Sequence, residues 1–130
     1  MGIFTEETLT RFVIALNADS WYRYWARDLE VTFSFQAGEL LVGFSAARGQ
    51  IERIAPQEAR YLIAGTEEDW RRALSTPRHI GYYDVFEGPC FLKNDMPRLL
   101  VASNAKAFDR LWKHLRAAAG GQGREWNCHV

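Results

Sequence analysis

The sequence has no excess of charge of either sign. Sixteen basic residues balance sixteen acidic ones over 130 residues. Binding to nucleic acid or to an anionic lipid surface depends on a field of positive charge. The basic residues, among them Arg23, Arg27, Arg48 and Arg53, are instead spread between acidic ones. We therefore expect no nucleic-acid partner and favour an apolar small molecule or a protein.

Cysteine is scarce, and long apolar runs are absent. Cys90 and Cys128 are the only cysteines, and neither belongs to a CxxC pair or a disulfide framework. No stretch approaches 18 apolar residues, which predicts no membrane span. The N-terminal sequence lacks the basic region of a signal peptide. We expect a cytoplasmic protein.

The sequence also lacks the common catalytic, nucleotide-binding and metal-binding motifs. There is no GxGxxG, GxxxxGK[ST], GxSxG or HExxH. Three histidines are present, and the adjacent Cys128 and His129 are the nearest approach to a ligand pair. We expect no metal and no cofactor. The run Glu67-Glu68-Asp69 is explained by a helix N-terminus, where negative charge is favourable.

One compact polar and aromatic cluster is present, comprising His79, Tyr82, Tyr83 and Asp84. A histidine beside a carboxylate can act as a general acid or base. A loop histidine next to aromatic side chains that cover the core is the favoured interpretation. The remaining histidine, His114, is expected on the solvated face of a helix.

Two helical segments precede the strands. Leu9, Phe12, Val13 and Leu16 form the apolar stripe of an amphipathic helix, and Thr5 is a plausible N-cap. In the following segment, "ADSWYRYWARD", the tryptophans at 21 and 25 share a face if the chain is helical.

Four strands are predicted from period-two alternation. They are Leu29–Ala37, Leu40–Ala46, Gln50–Ile54 and Ala59–Ala64. In the first strand, "LEVTFSFQAG", the apolar side chains all fall on one face. The connections are short, so the simplest topology is an antiparallel meander.

Helical periodicity returns after the fourth strand. Thr66 is expected to cap a helix that Pro77 ends. The segment "RHIGYYDVFEG" is compatible with a short helix or a loop, and "PCFLK" predicts a short fifth strand at a sheet edge. A long final helix, ending near Gly120, is marked by Val101, Ala105, Phe108, Leu111, Trp112 and Leu115.

These elements predict an α+β fold, an antiparallel five-stranded sheet covered on one face by helices. Residues 1–119 would form a single domain and residues 120–130 a flexible tail. The aromatic side chains of the sheet, among them Phe33, Phe35 and Phe44, would face the helices. A packed core and the wall of a ligand pocket both fit this pattern, and periodicity does not decide between them.

Two stretches carry a resemblance to a known family. "LEVTFSFQAGELLVGFSAARGQIERIAP" and "ARYLIAGTEEDWRRAL" resemble the sterol carrier protein 2 (SCP2)-like domains, including a G-x-x-x-x-W segment from Gly65 to Trp70. The later "FLKND" has Asn94-Asp95 where the family has Gly-Asp. The resemblance extends from Leu9 to Leu115. More narrowly, the sequence looks like the SCP2-like domains found next to, or fused in front of, bacterial α/β-hydrolases, and the tryptophan-rich start with Trp21 and Trp25 fits that branch.

The resemblance implies an SCP2-like sandwich with an apolar tunnel that holds a lipid-like ligand without covalent chemistry. The sequence before the last helix departs from the family pattern. The residues expected to contact the ligand lie on the sheet face and on the helices opposite it: Phe33, Phe35, Phe44, Ile63, Trp70, Leu74, Tyr82, Phe108, Leu111 and Trp112.

Two other functions fit the sequence. The protein could be an accessory protein that docks on a separate α/β-hydrolase through Trp21, Trp25 or Trp126. It could also be a small cofactor-free isomerase with an apolar pocket and a histidine or aspartate base, for which Asp84 is the residue to test.

Overall fold

The computed structural model describes residues 2–75 and 92–120. Its helices are α1 (Glu6–Asn17), α2 (Ser20–Trp25), α3 (Glu67–Ser75), α4 (Arg98–Ser103) and α5 (Ala105–Leu115). Its strands are β1 (Glu30–Ala37), β2 (Leu40–Ala47), β3 (Gln50–Ile54), β4 (Tyr61–Gly65) and β5 (Lys93–Asn94). A 3₁₀ turn (Pro56–Glu58) joins β3 to β4, and a π-helical turn (Arg116–Gly120) extends α5.

Side-chain caps begin α1 and α3, as the sequence predicts. The Thr5 hydroxyl accepts a hydrogen bond from the N–H of Thr8 at the start of α1. At α3, the Asp69 N–H donates to the Thr66 hydroxyl, and the Asp69 carboxylate accepts from the Thr66 N–H. These reciprocal bonds form a capping box that fixes where α3 leaves the sheet.

The sheet is mixed, so the predicted antiparallel meander is wrong. The strand order is β3-β2-β1-β4-β5. β1 pairs antiparallel with β2, and β2 with β3, but β4 lies parallel to β1. The alternation of apolar and polar residues predicted which face of each strand is apolar. It did not predict which strands pair with each other. Strand β4, with the buried Ile63, lies inside the sheet beside β1, whereas β3 exposes most of its side chains at an edge.

The connection from β3 to β4 crosses one face of the sheet. It spans three inter-strand spacings, roughly 14 Å, which the six residues 55–60 can reach when extended. The crossing lies directly on Gly43 of β2, where an added Cβ would be 2.9 Å from both the Ile54 oxygen and the Pro56 Cα. Ser34 of β1, opposite Gly43, is buried on the face that the sequence predicts to be solvated.

The other face of the sheet carries the hydrophobic core. Phe12 of α1 meets Phe44 of β2 edge to face, with ring centroids 5.5 Å apart. Trp70 of α3 lies 5.0 Å from the ring of Phe35. The α+β class and the five strands are therefore confirmed, with helices packed on the apolar side of the sheet.

The predicted long final helix is two helices. The break lies at Asn104, whose backbone (φ −123°, ψ 31°) leaves the helical region. The Asn104 side-chain amide donates to the Leu100 oxygen at the end of α4. Asparagine competes in this way with the helical hydrogen-bond ladder, which the apolar periodicity does not reveal.

Three sequence predictions fall outside the described residues. They are the segment of residues 78–88, the part of the fifth strand before residue 92, and the tail beyond residue 120. Of the predicted fifth strand, "PCFLK", only Lys93 overlaps the observed β5. Among the described helices, none combines the length and the apolarity that crossing a membrane requires.

Candidate functional site

Nine of the ten predicted ligand-contact residues are described, and all nine lie in one apolar core. Phe33, Phe35, Phe44, Ile63, Trp70, Leu74, Phe108, Leu111 and Trp112 are each at most 2% exposed. The tenth residue, Tyr82, lies outside the described residues. The structure brings the nine together, and their contact with a ligand stays a prediction.

An aromatic cluster forms the centre of this core. The ring of Phe35 lies 5.8 Å from Phe4, 5.5 Å from Phe33, 5.2 Å from Phe44 and 5.0 Å from Trp70, centroid to centroid. These separations are typical of favourable aromatic pairs. The cluster therefore packs ring on ring, and a ligand that reached Phe35 would have to part these contacts.

Phe4 belongs to this cluster and was missed by the sequence analysis. Its ring also meets Trp70 edge to face at 5.0 Å. A signal for it was present, because Phe4 precedes the N-cap Thr5 and Leu9 occupies the fourth helical position. That spacing is the hydrophobic staple, which folds an apolar residue before a helix back onto the core.

Trp70 connects α3 to the sheet by a polar contact as well as by packing. Its indole N–H donates to the Gln36 oxygen of β1 at 2.7 Å. The buried indole nitrogen is thereby satisfied. The bond fixes the ring against Phe35, and it places Leu74, one helical turn later, at the margin of the cluster.

A groove of about 510 Å³ opens beside Leu74. It lies between the N-terminal segment, α1, α3 and the π-helical turn, and it is lined by Gly2, Ile3, Thr8, Arg11, Arg71, Leu74, Ala118 and Ala119. Arg11 donates a hydrogen bond to the Ala118 oxygen, and Arg71 pairs with Glu67 at 3.6 Å. The groove thus has a mixed polar and apolar lining with two guanidinium groups, and one of its wall residues, Leu74, belongs to the core.

A second depression lies where β1 and β4 begin and β2 ends. Its volume is about 490 Å³, and its lining consists of Glu30, Val31, Thr32, Ser45, Ala46, Ala47, Arg60, Tyr61 and Leu100. None of the predicted ligand-contact residues lines it. The groove beside Leu74 is therefore the better candidate for access to the aromatic core.

Some buried side-chain polar atoms have no hydrogen-bond partner among the described residues, and two of these atoms belong to aromatic residues of the core. They are the Tyr22 hydroxyl and the Trp112 indole nitrogen. Burial also raises the pKa of the Tyr22 phenol. A buried polar atom without a partner costs free energy, so such atoms in a folded protein require a physical explanation.

A charged cluster joins α2 to α5. The Asp19 carboxylate caps α2 by accepting from the N–H groups of Trp21 and Tyr22. Its other oxygen accepts from Arg110 at 2.8 and 2.9 Å and lies 2.7 Å from His114 Nε2. Burial would raise the pKa of Asp19, but the bonds from His114, Arg110 and the Tyr22 N–H outweigh it and lower the pKa to about 2.

The sequence predicted His114 on the solvated face, whereas its side chain is only 22% exposed. The partner of His114 is 95 residues away in the chain, which sequence spacing does not reveal.

A smaller cleft lies beside this cluster on the outer surface. Its volume is about 290 Å³, and it is lined by Trp21, Trp25, Lys106, Asp109 and Arg110. The two tryptophans share a face of α2, as predicted from their spacing, but that face points to solvent.

The described residues contain no group of three His, Cys, Asp or Glu side chains placed to hold a metal ion. The cluster of His79, Tyr82, Tyr83 and Asp84 lies outside the described residues, as do Cys128 and His129. The catalytic hypothesis for Asp84 therefore stays a prediction.

Comparison with known proteins reveals similarity of fold. No family model and no curated protein matches the sequence. The structure is similar to the solution structure of a conserved hypothetical protein from Thermus thermophilus, which its description suggests to be a sterol carrier protein. The TM-score is 0.64 at 18% identity over 89% of both chains.

The structure is also similar to a crystal structure of sterol carrier protein 2. The TM-score is 0.60 at 15% identity, over 88% of this chain and 96% of that one. At such low identity the likeness shows the fold alone. The chain has the fold of the sterol carrier protein 2-like domains.

Proposed function

We propose that the protein binds a lipid-like or other apolar small molecule, without covalent chemistry, in a tunnel between the sheet and the helices. The observation that carries the proposal is the aromatic core of a fold shared with sterol carrier protein 2. The nine described residues that the sequence assigned to the ligand all belong to this core.

The groove beside Leu74 supports a route into this core. Leu74 is a wall of the groove, and Trp70, one turn earlier on α3, contacts both Phe4 and Phe35. Movement of α3 away from the N-terminal segment would separate these rings and extend the groove inward. In this proposal the ligand replaces ring-to-ring contacts with ring-to-ligand contacts.

Burial of apolar surface supplies the binding free energy. A ligand that loses about 300 Å² of apolar surface to the protein gains roughly 7 kcal/mol before the cost of ordering. A ligand with one hydrogen-bonding group would gain further if that group reached the Tyr22 hydroxyl or the Trp112 indole nitrogen, since neither has a partner among the described residues.

The first test is native mass spectrometry of the freshly purified protein, followed by organic extraction. We expect an adduct of a few hundred daltons that extraction removes, and its mass names the ligand class. An apo mass only, from protein that also fails to bind added apolar probes, would contradict the proposal.

The second test examines the route with a matched pair of variants. Ala118→Trp places an indole in the groove, whereas Ala117→Trp places one on the exposed side of the same turn. We expect the fluorescence enhancement of the neutral probe N-phenyl-1-naphthylamine to fall severalfold in Ala118→Trp and to be unchanged in Ala117→Trp. Equal binding by both variants would exclude the groove as the route.

Two finer predictions stay proposals based on the sequence. They are the cytoplasmic location and the association with a bacterial α/β-hydrolase.

A further inference from the structure

Helix α2 exposes three aromatic side chains. Trp21 is 58% exposed, Tyr24 51% and Trp25 37%. Such a concentration of large exposed rings on six residues is uncommon on a protein that makes no contacts there, because their apolar surface would be better buried. Tryptophan, tyrosine and arginine are also the residues that most often dominate the energy of protein interfaces.

Two of these three rings, those of Tyr24 and Trp25, are held in place by each other and by neighbouring cations. The rings of Tyr24 and Trp25 meet edge to face at 4.9 Å. The Arg27 guanidinium lies 4.2 Å from the centroid of Tyr24, and the Lys106 ammonium lies 4.5 Å from that of Trp25. Because Lys106 belongs to α5, the surface is shared by two helices.

The base of the surface is fixed by the Asp19 cluster. Asp19 binds the first turn of α2 and Arg110 of α5 at once. The cleft between the helices is therefore formed before any partner arrives, which reduces the entropy that binding must overcome.

The cleft between α2 and α5 is small for a ligand pocket. Its volume of about 290 Å³ lies just below the usual range for small-molecule pockets, roughly 300–1,000 Å³. Trp21 and Trp25 supply its apolar walls.

Lys106 offers an ion-pair partner for an acidic group beside a side chain that enters the cleft, although the cleft, which Asp109 also lines, carries no net positive charge. Asp19 neutralises the neighbouring Arg110. Lys106 contacts the Trp25 ring and has no carboxylate partner in residues 2–75 and 92–120. A carboxylate that approaches the ring from outside would pair with this ammonium.

A protein partner fits this surface better than an anionic bilayer does. Asp109 lines the cleft, and the exposed carboxylate of Asp28 lies 3.8 Å from Arg27. An anionic bilayer would repel both carboxylates, and a flat bilayer surface does not fill a cleft. A protein segment, unlike a bilayer, can place a carboxylate next to Lys106 and keep it away from Asp109 and Asp28.

We propose that the cleft between α2 and α5 docks another protein through a segment that presents a large apolar side chain next to an acidic residue. The apolar side chain enters between Trp21 and Trp25, and the carboxylate pairs with Lys106. This surface is separate from the groove beside Leu74, and its function does not depend on ligand binding in the core.

A phage-displayed library of random twelve-residue peptides tests the proposal. The wild-type protein serves as bait, and peptides that also bind the Trp25→Ala variant are removed. We expect the remaining peptides to share an aromatic or large aliphatic residue within three positions of Asp or Glu. Peptides that are basic, or no enrichment at all, would overturn it.

Variants then test the tryptophan walls and Lys106 separately. Their binding is measured with one of the selected peptides, made synthetically. We expect about tenfold weaker binding for Trp21→Ala and for Lys106→Glu, and near-normal binding for Lys106→Arg. Leu99→Ala is the control, since Leu99 is 76% exposed elsewhere on the surface. Equal losses in Leu99→Ala and Trp21→Ala would argue for nonspecific apolar binding and against the site.

Two further measurements separate other occupants. Sedimentation with vesicles of phosphatidylglycerol and phosphatidylcholine tests a bilayer, and analytical ultracentrifugation tests a second copy of the chain. Vesicle binding or self-association that Trp25→Ala abolishes would overturn the proposal in favour of that occupant. We expect neither.

Discussion

Asp19 joins α2 to α5 through both oxygens of its carboxylate. One carboxylate oxygen caps α2, and the other binds Arg110 and His114 of α5. The carboxylate is only 5% exposed, so its charge is balanced by these neighbours rather than by water. The residue therefore stabilises the fold only while it is ionised.

The lowered pKa of Asp19 predicts acid sensitivity. Burial raises the pKa, but the His114, Arg110 and Tyr22 hydrogen bonds bring it from 3.8 to about 2. The folded state thus binds its proton at lower pH than the unfolded chain does. We expect stabilisation of about 2 kcal/mol that is complete above about pH 4 and lost as the pH falls toward 2.

Urea unfolding at intervals from pH 6 to pH 2 checks this prediction. Asp19→Asn is the comparison, because asparagine keeps the N-cap and removes the charge. We expect the variant to lose less stability than the wild type between pH 4 and pH 2. Parallel pH profiles for the two proteins would contradict the assignment.

Removal of the buried Tyr22 hydroxyl is expected to stabilise the protein, which is unusual for a substitution in a core. It is fully buried and has no partner among the described residues. Tyr22→Phe removes the unsatisfied group and keeps the ring, so we expect the free energy of unfolding to rise by about 1 kcal/mol. Thermal and urea unfolding measure it, with the exposed Tyr24→Phe as a control that should change little. A loss of stability in Tyr22→Phe would mean that the hydroxyl is bonded in solution.

At the scale of elements, Asn17 protects an edge of the sheet. Asn17 is the last residue of α1, and its side-chain amide makes hydrogen bonds with both backbone groups of Ile51 in β3. The amide N–H donates to the Ile51 oxygen at 2.9 Å, and the amide oxygen accepts from the Ile51 N–H at 2.7 Å. The amide thus occupies the place of another strand. An edge covered in this way is less available for pairing with a second chain.

Asn17→Ala should expose this edge. We expect the free energy of unfolding to fall by about 1–3 kcal/mol, since two backbone groups lose their partners. Hydrogen exchange should speed up at the Ile51 amide. Gln50→Ala, an exposed position on the same strand, is the control. Unchanged exchange at Ile51 in Asn17→Ala would show that the amide bonds are not formed.

The helix starts were predictable because their signals are local. The caps at Thr5 and Thr66 use residues within three positions of each other, and the structure confirms both. The break at Asn104 was missed because a continuous apolar stripe runs through it. An apolar stripe records which side faces the core and does not record whether the backbone is continuous.

At the scale of the whole molecule, Gly43 permits the crossing that gives the sheet its parallel pair. The backbone of residues 54–56 lies against it, so no side chain fits there. Glycine inside a strand often marks such a close approach of a second backbone. A glycine within a predicted strand is visible in the sequence. Only the structure shows that the connection from β3 to β4 is the backbone that approaches it.

Gly43→Ala should therefore cost more than an ordinary strand substitution. The new Cβ would lie 2.9 Å from the Ile54 oxygen and the Pro56 Cα, and backbone cannot yield as a flexible side chain can. We expect a loss of about 2–4 kcal/mol in urea unfolding, against less than about 0.5 kcal/mol for Ser45→Ala on the same strand. A neutral Gly43→Ala would contradict the crossing at this position.

The sequence by itself determined which face of each strand is apolar, where α1 and α3 begin, and that the nine described ligand-contact candidates enter the core. Alternation and capping act over a few residues, so they survive in a single sequence. The tertiary structure decided that β4 pairs with β1, that His114 reaches Asp19, and that Trp21 and Trp25 face outward. These outcomes depend on contacts between residues that are far apart in the sequence. The free energy of such a contact depends on which surfaces pack together in the folded chain, and the local spacing of residues does not encode it.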